Sequence, residues 1–309
     1  MRVLITGIGG FIGPRLARNL LEQGHEVSGT WLENTPPPNV EGAELCQADL
    51  LDRNSLDRAM EACEPDAIVH LAGLSHVGDS WKKPGEYFRV NVLGTENLLK
   101  AAAAGGKERT VVFASSAEVY GPVPVEQQPI HEERLPDPRS PYALTKAAAE
   151  RLALASGAVV ARAFNLVGPG QAPHFALPSF ALQLAEIARG ARGEREPVLK
   201  VGNLSARRDF IHVDDGADAF RMLIERGASG RIYNIASEQA VSIADALDRL
   251  CAVSGVEARV EQDPERMRPV DLPLLLGDNG RLRKLGWEPR RSLDQALSDL
   301  WEDVWSSTP

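Results

Sequence analysis

The sequence predicts an α/β fold: a doubly wound parallel sheet with a smaller C-terminal lobe. The first half alternates short apolar runs, which suit strands buried on both faces, with segments of helical periodicity. A glycine-rich turn joins the first apolar run to the first helical segment near the N-terminus. At 309 residues the chain also exceeds the usual size of a single hydrophobic core, so a second unit is expected.

Composition and charge narrow the class of partner. Hydrophobic residues make up 43% of the chain and charged residues 25%, as in ordinary globular proteins, and the formal net charge is -9. A negative balance argues against nonspecific nucleic-acid binding and favours small-molecule partners. The N-terminal apolar run is too short for a signal peptide and no later run approaches a membrane span, so no membrane partner is expected.

The three cysteines, Cys46, Cys63 and Cys251, are odd in number and widely spaced. They form no C-x-x-C pair, and no histidine cluster has the spacing of metal ligands, so no metal site is expected. This cysteine usage fits a reducing, cytoplasmic setting.

The first predicted strand, residues 2–6, passes through a glycine turn into a helix. Gly7, Gly10 and Gly13 permit a tight turn and a close approach of backbone to a pyrophosphate. The helix N-terminus adds free N–H groups and the positive end of its dipole. This context favours dinucleotide binding over a purely structural turn, although Ile12 stands where G-x-G-x-x-G would place its third glycine.

The second strand is predicted to end at Thr30, where such folds discriminate between nicotinamide cofactors. An acidic side chain there bonds the ribose 2'-hydroxyl, whereas an arginine accepts a 2'-phosphate. Neither is present: Glu33 comes three residues late, and the nearest candidate cations are Arg15 and Arg53. The missing carboxylate slightly favours NADP(H) over NAD(H). Trp31 either covers the adenine or packs at the strand end.

The third and fourth strands are predicted at residues 43–47 and 66–71, with a helix at about 53–63 between them. Asp49, after the third strand, either bonds the adenine amino group or caps the helix. Gly73, after the fourth strand, lets backbone approach a ligand.

A long helix is predicted to open at residue 88 and to end at about residue 104. In it Asn91 places an amide at an otherwise apolar position, where we expect it to bond backbone inside the fold. His76, in the loop before this helix, is either a surface residue or a substrate contact.

The fifth strand, residues 110–114, ends in Ser115 and Ser116. Hydroxyls at the carboxyl end of a parallel strand line the ligand crevice. Ser116 precedes Tyr142 by 26 residues, with a proline-rich loop between them, and so can meet the phenol across the crevice.

A helix begins after Ser140, a good N-cap, with Pro141 as its first residue. Tyr142 and Lys146, at i and i+4, then share one face. An ammonium held near a phenol in a low-dielectric site favours the phenolate, so we expect a lowered pKa for Tyr142 and proton exchange near neutral pH. By itself a Y-x-x-x-K spacing also arises by chance.

Together these motifs resemble the extended short-chain dehydrogenase/reductases of the nucleotide-sugar epimerase and dehydratase type, over essentially the whole chain. The segments that carry the resemblance are residues 6–13, 49–50, 70–73, 91–95 and 115–116, with Tyr142 and Lys146.

The resemblance implies a Rossmann fold and catalytic roles for Ser116, Tyr142 and Lys146. It implies that the cofactor is bound by residues from the glycine turn, the strand ends and the catalytic helix: Gly7, Gly10, Phe11, Ile12, Gly13, Trp31, Asp49, Leu50, Leu71, Ala72, Gly73, Asn91, Tyr142 and Lys146.

Segments 162–171, 201–210 and 268–279 resemble the GDP-4-keto-6-deoxy-D-mannose reductases that form GDP-D-rhamnose, more than the related GDP-mannose 4,6-dehydratases. The resemblance implies a GDP-sugar partner. Glu118 stands where the dehydratases keep a catalytic glutamate, so dehydration stays an alternative. The predicted substrate-binding residues are Ser75, Ser116, Glu118, Asn165, Val201, Asn203, Arg208, Arg268 and Asp271.

Physical chemistry supports part of that set. Arg208 and Arg268 carry planar guanidinium groups that suit diphosphate oxygens, and Asp271 can accept bonds from ribose hydroxyls. An internal ion pair between Arg208 and Asp209 is the alternative.

The expected Rossmann domain spans residues 1–165 with a return segment at about 209–238. The expected nucleotide-sugar substrate lobe spans residues 166–208 and 239–309, and the active site lies between the two.

The resemblance also implies a homodimer, in which the helices at about 86–104 and 141–156 pair with their copies in a four-helix bundle. A 4-epimerase on the same scaffold, and a non-catalytic dinucleotide sensor, are the remaining alternatives. The intact Tyr142 and Lys146 count against the sensor.

Overall fold

The computed structural model describes residues 1–33, 35–190, 197–267 and 269–308. The strands, in chain order, are β1 (Arg2–Thr6), β2 (Glu26–Trp31), β3 (Glu44–Gln47), β4 (Ala67–His70), β5 (Thr110–Ser116), β6 (Val159–Ala163), β7 (Asn165–Val167), β8 (Val198–Val201), β9 (Arg207–His212), β10 (Ile232–Ile235), β11 (Ala240–Ser242), β12 (Arg259–Gln262) and β13 (Leu274–Leu275). The α-helices are α1 (Gly13–Glu22), α2 (Arg53–Cys63), α3 (Val77–Lys82), α4 (Pro84–Phe88), α5 (Gly94–Ala103), α6 (Pro141–Ala155), α7 (Ala176–Ala188), α8 (Val213–Arg226), α9 (Ile243–Ser254), α10 (Gly280–Arg283) and α11 (Leu293–Ser307).

The large sheet has seven strands in the order β10-β6-β5-β4-β1-β2-β3, and every neighbouring pair is parallel. From β1 the chain adds β2 and β3 on one side of the sheet and then β4 and the later strands on the other. In a doubly wound sheet a ligand crevice opens at this point, between β1 and β4, at the carboxyl ends of the strands. The predicted fold class is confirmed, and the predicted strands of this sheet fall within a few residues of the observed ones.

Helices cover both faces of the large sheet. Val3 and Ile5 of β1 pack in a core with α1 and α8, whereas Leu4 between them packs with α2 and α5. Successive residues of a strand point to opposite faces, so both faces of β1 are apolar and both are buried. Ala149 and Ala153 of α6 pack on Phe113 and complete the second face.

A second core lies in the C-terminal half. Its buried side chains come mainly from α7, α9 and α11 and from strands β7 and β8. β9 pairs with β7, β11 and β13 in a four-stranded sheet, and β8 pairs with β12. The chain returns from this sheet through α8 to β10, which joins the edge of the large sheet. Among the described residues, no helix combines the length and the apolar character needed to cross a membrane.

The predicted long helix is present but is not uniform. One π-helical turn, Arg89–Leu93, separates α4 from α5. Such turns insert an extra residue and change the direction in which side chains point. Asn91 lies within this turn.

Candidate active site

The face of α6 that carries Tyr142 and Lys146 is fixed by the way the helix starts. The Ser140 hydroxyl accepts a hydrogen bond from the backbone N–H of Ala143 at 3.1 Å, which caps the helix as predicted. Tyr142 and Lys146 follow one turn apart, and their exposed fractions are only 8% and 9%. The packing of Tyr142 against Val77 ties this face to α3.

Burial has the largest effect on the pKa of the Tyr142 phenol. Desolvation raises the pKa of Tyr142 to about 12, a hydrogen bond with the Ser116 hydroxyl opposes that rise, and the Glu118 carboxylate adds to it. The expectation of a lowered pKa is wrong for this structure, because burial outweighs the hydrogen bond. The predicted meeting of Ser116 with Tyr142 does occur, and the phenol carries its proton at neutral pH.

Lys146 is held beside an aromatic ring. Its Nζ lies 4.6 Å from the centroid of Phe113, and burial lowers its pKa to about 8, while the Glu150 carboxylate opposes that shift. Glu150 is one further turn along α6. It accepts bonds from Arg162 at 2.5 and 3.1 Å and from the Ser115 hydroxyl at 2.6 Å. A buried ion pair therefore anchors the helix behind Lys146.

The glycine turn brings backbone segments into very close contact. A Cβ on Gly13 would lie 2.2 Å from the carbonyl oxygen of Ile8, and one on Gly7 would lie 2.9 Å from Cα of Ala72. Gly7 also has a φ of +70°, which favours glycine. The first turn of α1 has no acidic residue, and no side chain caps it. Its N–H groups and dipole therefore suit a pyrophosphate, and the turn fits the dinucleotide expected from the sequence.

Hydrogen bonds between hydroxyl groups and an imidazole connect the ends of β1 and β4 beneath this turn. His70 Nδ1 lies 2.8 Å from the Thr6 hydroxyl, and Nε2 lies 3.0 Å from the Thr95 hydroxyl. Thr6 also accepts a bond from the N–H of Ala72. Burial and, to a smaller extent, the Lys146 charge lower the pKa of His70 to about 3, so the imidazole is neutral.

The Asn91 side chain forms hydrogen bonds with backbone groups, as the sequence predicts. Its Oδ1 accepts from the N–H of Leu74 at 2.8 Å, and its Nδ2 donates to the Leu74 carbonyl at 2.9 Å and to Thr145 at 3.1 Å. A Cβ on Gly73 would lie 2.9 Å from the same Oδ1. The amide thus fixes the loop after β4 against α6. Leu71, which begins this loop, is half-buried.

The residues predicted to bind the adenosine part of the cofactor lie near the ends of β2 and β3. Trp31 is half-buried and its carbonyl accepts from the N–H of Ala48. Asp49 is exposed and accepts from the N–H of Leu51 at 2.8 Å, whereas the α2 cap is Asp52, so the capping alternative for Asp49 is wrong. Leu50 packs in the core against Gly94.

The two candidate cations for a 2'-phosphate both have carboxylate neighbours. Arg15 Nε lies 3.2 Å from Asp214, and the same guanidinium donates to the Phe11 carbonyl. Arg53 donates to Asp57 at 2.8 Å from the first residue of α2.

A cavity of 480 Å³ lies between α3 and the second lobe. Of the residues predicted to bind substrate, it is lined by Asn165, Asn203, Arg208 and Asp271.

Three of these polar residues form one network. Arg208 donates to Asp271 at 2.6 Å and to the Leu272 carbonyl at 2.6 Å, and Asn203 donates to the other Asp271 oxygen at 2.7 Å. Asp209 points to the opposite face of β9, where it accepts from Ser237, so the alternative ion pair between Arg208 and Asp209 is replaced by one with Asp271. Asn203, Arg208 and Asp271 thus bring amide, guanidinium and carboxylate groups to the cavity wall, where they are bonded to one another.

The other predicted substrate residues are placed elsewhere. The side chain of Val201 packs in the second core, and Ser75 is exposed in the loop after β4. Glu118 is the second residue of the turn after β5, where its N–H donates to the Ser116 hydroxyl at 3.2 Å. Arg268 lies outside the described residues.

Several cavity residues were not predicted. The rings of His174 and Phe175 are tilted by 42° with centroids 4.5 Å apart, and the ring centroids of His174 and His76 are also 4.5 Å apart. Arg266 donates to Ser179 at 2.8 Å on the far wall. His76 also lines the cavity. The only sequence signal for the others was their proximity to the segments 162–171 and 268–279.

Comparisons with known proteins agree with this geometry. A model of the "NAD dependent epimerase/dehydratase family" matches residues 3–236. The GDP-6-deoxy-D-mannose reductase of Pseudomonas aeruginosa is 36% identical over 99% of this chain and 97% of its own length. The UDP-glucose 4-epimerase of Streptomyces lividans is 30% identical over 99% of this chain and 96% of its own. The solved structure of RMD from Pseudomonas aeruginosa complexed with NADPH has a TM-score of 0.85, 33% identity and full coverage of both chains.

Proposed function

This chain belongs to the NAD dependent epimerase/dehydratase family, and from that premise we propose that it is an oxidoreductase that uses NAD(P)H to reduce the 4-keto group of a GDP-4-keto-6-deoxyhexose, giving GDP-D-rhamnose. The observation that carries the proposal is the 36% identity with a GDP-6-deoxy-D-mannose reductase along nearly the whole of both chains. The match includes the lobe that lines the cavity, and that lobe selects the sugar nucleotide.

The protonation state of the site supports reduction. A ketone that receives hydride needs a proton at its oxygen, and Tyr142 carries one at neutral pH because burial raises its pKa to about 12. Ser116 bonds the phenol, and we propose that it bonds the substrate carbonyl as well. The nicotinamide, when bound, supplies the hydride. Lys146, one turn along, holds a positive charge where negative charge develops on the oxygen.

The cavity supports a diphosphate-linked sugar. Arg208 and Asn203 present donors that match phosphate and hydroxyl oxygens, and Asp271 both orients them and can accept from a ribose hydroxyl. Asn165 adds an amide at the start of β7. We propose that Arg268 completes the diphosphate contacts, and that the substrate lobe comprises residues 166–208 and 239–309, with 1–165 and about 209–238 forming the Rossmann domain.

Two reactions run side by side test the function. One contains GDP-4-keto-6-deoxymannose with reduced cofactor, and the other contains GDP-mannose with a catalytic amount of oxidised cofactor. We expect stoichiometric cofactor oxidation and GDP-D-rhamnose in the first, with no change in the second. A keto-sugar accumulating in the second reaction would replace reduction with dehydration.

Dehydration is the second candidate, because the Glu118 carboxylate is near enough to Tyr142 for its charge to raise the pKa of the phenol. In a dehydratase this carboxylate removes the proton next to the keto group, so Glu118→Gln would abolish activity. In the reductase it has no such task, and we expect Glu118→Gln to retain most of the turnover.

For the cofactor we propose NADP(H) rather than NAD(H). Thr30, at the end of β2, offers no carboxylate to a ribose 2'-hydroxyl, and a structurally similar reductase was solved with NADPH. Arg15 or Arg53 would then turn from its carboxylate neighbour to the 2'-phosphate. Comparison of the dissociation constants for NADPH and NADH, in the wild type and in Arg15→Gln and Arg53→Gln, tests this. We expect tighter NADPH binding in the wild type and loss of that preference in one of the variants.

We also propose a homodimer in a cytoplasmic setting. Apolar side chains on α6 and on the helix that faces it are exposed: Phe88, Leu93, Leu144 and Leu152 have exposed fractions of 51%, 44%, 55% and 36%. Exposed apolar side chains concentrated on neighbouring helices indicate a surface that another protein chain covers.

A further inference from the structure

Two cysteines from different elements meet at the edge of the large sheet. Cys46 lies in the edge strand β3, and Cys63 is the last residue of α2. Their sulfur atoms are 2.9 Å apart and share a hydrogen bond, although 17 positions separate them in the chain. Both are free thiols. The fold therefore aligns two thiols that the sequence spacing gave no reason to pair.

The surroundings of the pair make it reactive. The hydrogen bonds from Cys46 and from the Ser28 hydroxyl together lower the pKa of Cys63 to about 7 against the opposing effect of burial, and the pKa of Cys46 is raised in turn. Ionisation is therefore favoured at one sulfur of the pair, and the thiolate is the reactive form. Cys63 is buried, but Cys46, which contacts it, is half-buried in an edge strand, so a small solute approaches the pair from the side of Cys46.

We propose that Cys46 and Cys63 are a redox modification site, a dithiol that a small peroxide converts into an intramolecular disulfide. The thiolate attacks one peroxide oxygen and the O–O bond breaks, which leaves a sulfenic acid and a hydroxide that takes up a proton. The second sulfur then attacks the first, the S–O bond breaks, and water leaves. In sum, two thiols are oxidised and one peroxide is reduced to two waters.

The movement required is small. A disulfide bond is about 2.05 Å long, so the sulfurs must approach by only about 0.9 Å from their present separation. The closed loop would include Asp49 and Arg53, which lie on the proposed adenosine side of the site. In a reducing compartment such a bond persists only transiently, so the site reports oxidant rather than stabilising the resting protein.

The experiment uses the whole chain, reduced with dithiothreitol, freed of reductant and exposed to increasing hydrogen peroxide. Remaining thiols are then alkylated under denaturing conditions and counted by intact mass. We expect two of the three thiols to disappear together, without a covalent dimer. A peptide map should show Cys46 linked to Cys63, and dithiothreitol should restore all three thiols.

Matched variants identify the pair. Cys251→Ser, in α9 of the second lobe, should still lose both remaining thiols to an internal link. Cys46→Ser and Cys63→Ser should form no internal link at the same peroxide concentration. The proposal is overturned if the wild-type link contains Cys251, if chains cross-link to one another, or if the thiols resist peroxide or oxidise singly without a link.

Discussion

At the scale of single residues, the protonation of Tyr142 decides which step the site can begin. Its phenol is buried, bonded to Ser116 and influenced by the Glu118 charge, and these surroundings favour the neutral form. A neutral phenol donates a proton more readily than it removes one. The cationic side chain of Lys146 lies nearby, and a bound cofactor adds its own charges to this balance.

We predict that Tyr142→Phe lowers turnover by roughly 10²- to 10⁴-fold, the usual effect of removing a positioned proton donor, and leaves cofactor binding unchanged. Turnover and the cofactor dissociation constant are measured on the same preparation. Tyr233→Phe is the matched control, because that hydroxyl accepts a bond from Ala228 at the far edge of the sheet. Near-normal turnover in the Tyr142 variant would remove this residue from the mechanism.

His70 gives a prediction about pH. Its pKa is lowered to about 3, so between that value and its ordinary 6.5 the unfolded chain binds a proton that the folded chain does not. The stability contribution is therefore complete above pH 6.5 and is lost as the pH falls toward 3. We expect His70→Gln to be about 1 to 3 kcal/mol less stable at pH 7, because a buried hydroxyl loses a partner, yet to lose less stability on acidification.

Urea unfolding at a series of pH values measures both effects. His131→Gln is the control, since its side chain is 64% exposed. If the wild type and His70→Gln lose stability in parallel between pH 6.5 and 4, His70 does not stay neutral when buried.

At the scale of elements, the turn between β1 and α1 depends on the absence of a side chain at Gly13. A Cβ there would lie 2.2 Å from the Ile8 carbonyl oxygen, which is backbone and cannot rotate away. We expect Gly13→Ala to shift the turn and to weaken cofactor binding at least tenfold, as measured by titration. Gly85→Ala is the control, because it lies in α4 with nothing within 4 Å. Unchanged cofactor affinity in Gly13→Ala would contradict the role of this turn.

The anchor of α6 gives a second prediction at this scale. Glu150 is buried against Arg162 and Ser115, so Glu150→Gln keeps the shape but leaves a buried guanidinium without its counter-charge. The expected cost is about 3 to 5 kcal/mol in unfolding free energy. The pKa of Lys146 should also fall, because Glu150 raises it. Glu61→Gln, exposed on α2, should change neither quantity. A loss of stability below 1 kcal/mol would show that the pair is not needed to hold the helix.

These elements show what sequence alone could predict. The glycine turn and the cap at Ser140 are local, so the residues that make them are neighbours in the chain and were identified. The π-helical turn at Arg89–Leu93 was not, because the bonds that accompany it join Asn91 to Leu74 across the fold. Arg208 was expected at a ligand, and its partner Asp271 lies 63 positions away in the sequence. Pairings of this kind depend on packing that composition and periodicity do not encode.

At the scale of the whole molecule, two cores sit on either side of the cavity. The large sheet was predictable because its strands are continuous apolar runs, whereas the second lobe combines short strands with helices from distant segments. Its cavity wall of His174, Phe175 and Arg266 was therefore missed. The position of the crevice follows from the large sheet, and most of the cavity lining comes from the second lobe.

The outer face of the large-sheet domain gives the last prediction. Leu144 is 55% exposed on α6, two residues before the buried Lys146 and so on the opposite face of the helix, and Phe88 of α4 and Leu93 of the π-helical turn are also exposed. If these side chains meet their copies in a second chain, a carboxylate at the centre of that contact must be desolvated without a partner. We expect the wild type to have the mass of a dimer by light scattering, and Leu144→Glu to have the mass of a monomer. Leu135→Glu is the matched control, since Leu135 is 81% exposed in the loop before α6, and it should remain dimeric. A wild type that is monomeric at all concentrations, or a Leu144→Glu variant that stays dimeric, would place the contact elsewhere or remove it.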